Sequence, residues 1–285
     1  MQLKVTSLSA VMGAEISGVD LAHLTDQDFK IIQKAFHDHL VIAVRDQNLS
    51  PQDQIAFTSR FGELETQANA LYAIPGYPEV LVISNDIKNG RPVGLIDAGD
   101  FWHSDSQSRD KPSTATILHS LKNPSQGGDT QFANMYLAYD ALPDDVKRRI
   151  QNLHGVNASS KLKNKRVTVS KDRPDGDDYY KSALEKPDAI HPIVRTHPET
   201  GKKALYASPR FTIGIKELHD SEGQELLDYL FDHQMRAEFR YDHKWKNGDL
   251  VMWDNRCLMH CAGGGYKYPD TRLMHRTVIA GDRPV

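Results

Sequence analysis

The sequence predicts a mainly β protein with covering helices, a double-stranded β-helix of the jelly-roll, cupin-like type, and three observations carry that expectation. Short β-type runs follow one another from Val80 onward. Turn residues, such as Pro198-Glu199-Thr200-Gly201 and Asn247-Gly248-Asp249, separate them. The few helical segments do not alternate regularly with strands, as a doubly wound parallel sheet would require.

Taken in order, Thr25 can cap a helix that carries Phe29, Ile32, Ala35 and Phe36 on one face. A short strand over 40–44 should follow. Ser50-Pro51-Gln52-Asp53 is a helix start, with proline in the first turn and an acid placed to answer the cap, and Gly62 suits the exit. Both helices read as packing scaffold. The β-type runs are 80–84, 114–120, 190–196, 204–207, 239–245, 250–253 and 272–280. Two helical segments interrupt them, one over 135–152 and one over 221–235, whose Leu226, Leu227, Leu230 and Phe231 form an apolar stripe.

No repeat and no Pro/Gly/Ser linker divides the chain, so residues 1–285 are expected to form a single domain. The stretch 160–186 is polar, charged and weakly periodic, which reads as a lid insertion. The formal net charge of -3, with Lys and Arg dispersed among acids, excludes the basic face that a nucleic-acid binder needs. The opening residues hold no apolar block of signal-peptide length, and no run approaches a membrane span. Cys257 and Cys261 then read as reduced thiols, and the chain is expected in the cytoplasm with no membrane partner.

The chemistry begins at His103-Ser104-Asp105. In extended backbone an imidazole and a carboxylate two residues apart share a face. His260 would complete two histidines and a carboxylate on one side of an octahedral ion, leaving three positions open. The pair alone is a weak signal among 13 histidines. His37 and His39 lie two apart on a helix and so point apart, while His23, His154, His219, His233 and His243 have no acidic or histidine partner at ligand spacing. A second feature strengthens it. In a strand, Arg272 and Arg276 share a face with Met274, and if that face is interior the two guanidiniums need anions. One could grip a carboxylate, with the Thr130 hydroxyl as a further donor. An outward strand with two solvated arginines fits the sequence equally.

Trp102-His103-Ser104-Asp105, Gly127-Gly128-Asp129-Thr130, His197-Pro198-Glu199-Thr200-Gly201-Lys202, Trp253-Asp254-Asn255-Arg256 leading to His260, and the run from Arg272 to Arg276 occur in a telling order. In that order the chain resembles the taurine dioxygenase and aryloxyalkanoate (2,4-dichlorophenoxyacetate) dioxygenase family of Fe(II)/2-oxoglutarate-dependent oxygenases over nearly its whole length. The resemblance implies that His103, Asp105 and His260 bind Fe(II) and that Thr130 and Arg272 hold the distal carboxylate of the cosubstrate 2-oxoglutarate. It implies Arg276, Asn69 and Phe211 for a small anionic substrate, which is hydroxylated at a C–H bond with O2 consumed and succinate and CO2 released. It also favours a homo-oligomer. The segment Gln67-Ala68-Asn69-Ala70-Leu71-Tyr72 lacks the histidine that helps hold sulfonate in taurine dioxygenase, which argues against taurine itself. The rivals are a zinc-dependent hydrolase, a structural zinc site using Cys257 and Cys261 beside His260, and a non-catalytic binder on the same scaffold.

Overall fold

Val41, Ile42, Ala43 and Val44 are all buried, and an unbroken apolar run of this kind marks a strand covered on both faces. That strand belongs to the main sheet of the computed structural model, which describes residues 2–66, 70–96, 99–159 and 185–285. The chain opens with β1 (Lys4–Ser7), β2 (Ala14–Ser17), helix α1 (Asp26–His39), β3 (Val41–Val44) and helix α2 (Pro51–Ser59). Then come β4 (Ala73–Ile74), β5 (Tyr77–Ser84), the small hairpin β6 (Ile87–Lys88) and β7 (Arg91–Pro92), and β8 (Ala115–Lys122). The middle of the chain forms β9 (Thr130–Asn134), α3 (Met135–Asp140), α4 (Asp144–Ile150) and β10 (His154–Asn157). The remainder forms β11 (Ala189–Pro192), β12 (Val194–Thr196), β13 (Lys203–Leu205), β14 (Thr212–Ile215), α5 (Asp220–Gln234), β15 (Arg240–His243), β16 (Leu250–Asp254), β17 (Leu258–Ala262) and β18 (Leu273–Ile279).

The main sheet has eight strands in the order β1-β2-β3-β16-β8-β18-β5-β4. Its side chains alternate between two cores. Ile42, Val44, Ile117, Leu250, Met252 and Ile279 pack outward under Ile32 and Phe36 of α1 and Phe57 of α2. Val41, Ala43, Leu118, Val251, Trp253 and Met274 point the other way, against Phe132, Ala133 and Leu258 of a three-stranded sheet ordered β15-β9-β17. Two facing sheets with helices outside are the jelly roll that the sequence predicts. The opening between the sheets is where the site lies.

Local rules explain the helices. Thr25 Oγ1 accepts from the Asp28 amide at 3.1 Å, and Ser50 with Asp53 forms a reciprocal capping box ahead of Pro51. Helix α2 ends at Ser59, before Gly62, whose missing side chain instead admits Ile279. Leu40 is not strand but the left-handed cap of α1. The helix expected over 135–152 is two helices, because Pro143 starts α4 at its own N-terminus. The strand expected over 190–196 is likewise two. It breaks at Ile193, whose amide donates to Leu153 O and whose carbonyl accepts from Tyr206 N. The expected lid, except for its last two residues, lies outside the described residues, as does Asn69. Among the described residues no helix is long and apolar enough to cross a membrane.

Candidate active site

His103 and His260 are opposed in an antiparallel bridge. The His103 amide donates to His260 O at 3.0 Å and the His260 amide to His103 O at 2.8 Å. Directly opposed residues project to the same side of a sheet, so two imidazoles remote in sequence stand together, ring centroids 4.3 Å apart. Asp105 follows in the turn after His103. Its Oδ1 lies 3.3 Å from His103 Nε2 and 3.9 Å from His260 Nε2. The three ligand-capable atoms all fall within 4.8 Å of one another. The expected extended His-x-Asp geometry holds only through Ser104, and the turn beginning at Asp105 brings the carboxylate round.

The electrostatics favour a divalent cation. His103 Nδ1 is 2.6 Å from Phe101 O, so it carries the hydrogen and leaves Nε2 bare toward Asp105. Burial pushes the His260 imidazole down to about 3, helped by His103 and Arg276 and opposed by Asp105. Burial opposes ionisation of Asp105, yet His260, His103 and Arg276 outweigh it and hold the carboxyl far below the usual range. A neutral imidazole beside an ionised carboxylate is the donor set a hard-to-borderline metal accepts. His260 also packs against Trp253, centroids 4.7 Å apart.

The same pocket carries Thr130, Arg272 and Arg276, with Ile83, Leu118, Trp253 and Ala262 as apolar wall. Arg272 is only 5% exposed, which decides against the solvated-strand alternative. Its Nε and Nη2, and the Nε of Arg276, have no hydrogen-bond partner among the described residues. Burial lowers the Arg272 guanidinium from its ordinary value, with Tyr266 and Asp129 opposing. Buried donors without acceptors are costly unless a ligand satisfies them, so the pocket suits an anion with several oxygens.

Trp245 is a residue that sequence reasoning missed. Its Nε1 donates to Thr130 Oγ1 at 3.0 Å. That hydroxyl keeps its own hydrogen for a ligand. The guanidinium of Arg272 lies 5.6 Å from the same indole. Phe211 meets the edge of His103 at 6.1 Å between centroids, and the Arg210 guanidinium is 5.0 Å from the Phe211 ring. Asn69 lies outside the described residues.

Several histidines for which the sequence suggests no acidic partner have one, His23 and His243 within a few residues of their own and His37 and His154 far along the chain. His23 meets Asp20 and His154 meets Glu217, each at 2.8 Å, while His37 meets Glu199 at 2.5 Å and His243 lies 3.6 Å from Asp249. Cys257 groups with His197 and Asp254 and not with Cys261. Asp254 there is already bound by Arg256 Nη2 at 2.7 Å and His197 Nε2 at 3.0 Å.

Comparison with known proteins identifies the family. The family described as taurine catabolism dioxygenase TauD, TfdA family matches residues 4–278. The chain is 33% identical over 278 residues to an (S)-phenoxypropionate/alpha-ketoglutarate-dioxygenase of Sphingobium herbicidovorans, covering 98% of this chain and 95% of that one. It is 33% identical over 299 residues to the alpha-ketoglutarate-dependent 2,4-dichlorophenoxyacetate dioxygenase of Cupriavidus pinatubonensis, with both covered fully at 100%. A solved taurine dioxygenase from Burkholderia xenovorans superposes with a TM-score of 0.82 at 32% identity, over 99% of this chain and 91% of that one.

Proposed function

The chain belongs to the taurine catabolism dioxygenase TauD, TfdA family and is an alpha-ketoglutarate-dependent dioxygenase that uses Fe(II), 2-oxoglutarate and O2, and we propose that it hydroxylates a C–H bond of a small anionic organic substrate. An aryloxyalkanoate heads the candidates, ahead of sulfonates and related carboxylates, because relatives that match end to end act on phenoxypropionate and dichlorophenoxyacetate. On this reading His103, Asp105 and His260 hold the iron, Thr130 and Arg272 take the distal carboxylate of 2-oxoglutarate, and Arg276 takes the anion of the substrate. Phe211 walls the apolar part. The whole chain is read as one oxygenase domain.

The observation that carries the reading is a charge surplus in one pocket. One carboxylate, Asp105, faces two guanidiniums, Arg272 and Arg276. A ferrous ion would raise the surplus to three positive charges, and a 2-oxoglutarate dianion with a substrate monoanion would neutralise it. When bound, iron and 2-oxoglutarate supply oxidative decarboxylation to succinate and CO2 with transfer of one oxygen atom of O2 to the substrate carbon. The residues of the chain supply position. Arg276 fixes which carbon faces the metal, Trp245 aims the Thr130 hydroxyl, and Trp253, Ile83, Leu118 and Ala262 keep water from the reacting carbon. A hydroxylated carbon that bears a heteroatom can then collapse and release a phenol, an amine or sulfite.

The test is a panel of aryloxyalkanoates, sulfonates and amino-acid-like carboxylates, each beside its uncharged amide or ester, assayed for succinate with Fe(II) and 2-oxoglutarate. Succinate coupled to loss of one anionic compound supports the proposal. Turnover only on neutral compounds would overturn it.

A further inference from the structure

Behind Asp105 lies a hydrogen-bond chain whose polarity is fixed at every link. The Trp253 indole, a donor only, gives its Nε1 hydrogen to Asn255 Oδ1 at 3.0 Å. That assigns the amide, so Asn255 Nδ2 donates to Thr116 Oγ1 at 3.0 Å. The single hydrogen of Thr116 is then directed to Asp105 Oδ2, at 2.5 Å. No link can reverse, since an amide nitrogen accepts nothing and a carboxylate donates nothing. Thr116 and Asn255 are both 0% exposed, so no bulk water competes. Backbone bonds seat the hub: the Asn255 amide donates to Thr114 O at 3.0 Å, and Ser104 Oγ donates to Asn255 O at 2.5 Å.

We infer that Thr116 and Asn255 are positioning residues that hold Asp105 with its Oδ1 toward the two imidazoles, ready to ligate. The inference rests on the reading of Asp105 as a metal ligand. Oδ1 is the oxygen facing the two imidazoles, whereas Oδ2 is engaged by Thr116. A carboxylate free to swing would turn Oδ1 away from the two imidazoles, and the three donors would no longer converge on one ion. The relay forbids this by holding Oδ2 in a short charge-assisted bond. It also ties the carboxylate to Trp253, a wall of the same pocket. Thr116 stands one residue before Ile117, which packs on the opposite core, so one strand both builds the sheet and orients the ligand.

The test uses the metal-free full-length protein with Mn(II) as the probe, its affinity read from the EPR signal of the free ion and the fold from the metal-free melting temperature. Thr116→Val removes the hydroxyl at constant shape and is expected to weaken Mn(II) binding on the order of tenfold to a hundredfold. Thr116→Ser should restore it to within about threefold. Asn255→Asp turns the donor into an acceptor, draws the Thr116 hydrogen away from Asp105, and should reproduce the loss with Thr116 intact. Thr116→Ala makes the same comparison if the valine variant does not fold. Wild-type affinity in both Thr116→Val and Asn255→Asp overturns the relay, as does a loss that serine does not repair. Failure of the ligand reading looks different: the wild type and His103→Ala would then bind Mn(II) equally.

Discussion

Arg276 on β18 and Arg272, the residue just before that strand, line the same pocket, and each has at least one buried nitrogen with no hydrogen-bond partner among the described residues. Their surroundings differ. Arg272 lies by the Trp245 indole, beside the Thr130 hydroxyl that the indole orients, whereas Arg276 is among the groups that depress Asp105 and His260. The roles should therefore separate. Arg272→Ala is expected to raise KM for 2-oxoglutarate on the order of tenfold to a hundredfold, the worth of one or two hydrogen bonds to a charged group. Arg276→Ala should weaken the organic substrate and largely spare 2-oxoglutarate. Steady-state kinetics with each varied in turn checks this, and equal losses for both compounds in both variants would show the division to be wrong.

His103→Ala should abolish 2-oxoglutarate-dependent O2 uptake. Adding Mn(II) at about 100 times its Kd should stabilise the wild type by about 2.7 kcal/mol and leave the His103→Ala melting temperature unmoved. Chelation should reverse the wild-type shift. A variant that keeps full turnover would end the ligand assignment.

Much of this site was legible because its parts are local. His103-Ser104-Asp105 and Arg272-to-Arg276 each carry their meaning within a few residues. The strand bearing His260 was not foreseen: Leu258-Met259-His260-Cys261-Ala262 has no β-branched residue and becomes a strand by pairing with β9. Strand β9 has only Thr130 and Phe132 as strand-favouring residues and is set by its pairing with β15 and β17. The bridge between His103 and His260 leaves no local pattern at all. Thr116 and Asn255 sat inside segments already recognised, yet their side-chain roles depend on which neighbours fold next to them. Pro143, by contrast, is a local signal, and it divides 135–152 into two helices.

Asp254 gives a stability prediction independent of the metal. It is 1% exposed and binds Arg256 Nε at 2.8 Å, Arg256 Nη2 at 2.7 Å and His197 Nε2 at 3.0 Å. Burial opposes its charge, but Arg256 and His197 hold the carboxyl well below the usual range. Removing one member of a buried pair leaves the other uncompensated, and Glu199, half exposed, can only partly compensate Arg256. Asp254→Ala is therefore expected to cost about 3–5 kcal/mol, measured by urea denaturation of the metal-free protein. A loss under about 1 kcal/mol would mean that the network behaves like a surface pair.

The acid limb of stability should depend on a histidine pair on the helix-covered face of the main sheet. His119 and His275 are direct partners across β8 and β18. Burial holds both imidazoles below their ordinary value; the hydrogen bond to Gln47 O opposes this at His119, while His119 adds to it at His275, which falls to about 4. His275 is thus neutral when folded above about pH 4 but takes up a proton when unfolded below about pH 6.5, and His119 is shifted in the same direction. The stability that His275 contributes is complete above that pH and is lost as pH falls toward 4, steepening the decline by up to about 1.4 kcal/mol per pH unit, and His119 acts with the same sign. Gln54 Nε2 donates to the His275 carbonyl at 3.1 Å, a backbone contact that substitution of the side chain leaves in place. His275→Gln should then flatten the dependence of unfolding free energy on pH between about 6.5 and 4 by up to one proton, with little change at pH 8. Urea titrations at intervals across that range measure the slope, and an unchanged slope would mean that His275 does not titrate on unfolding.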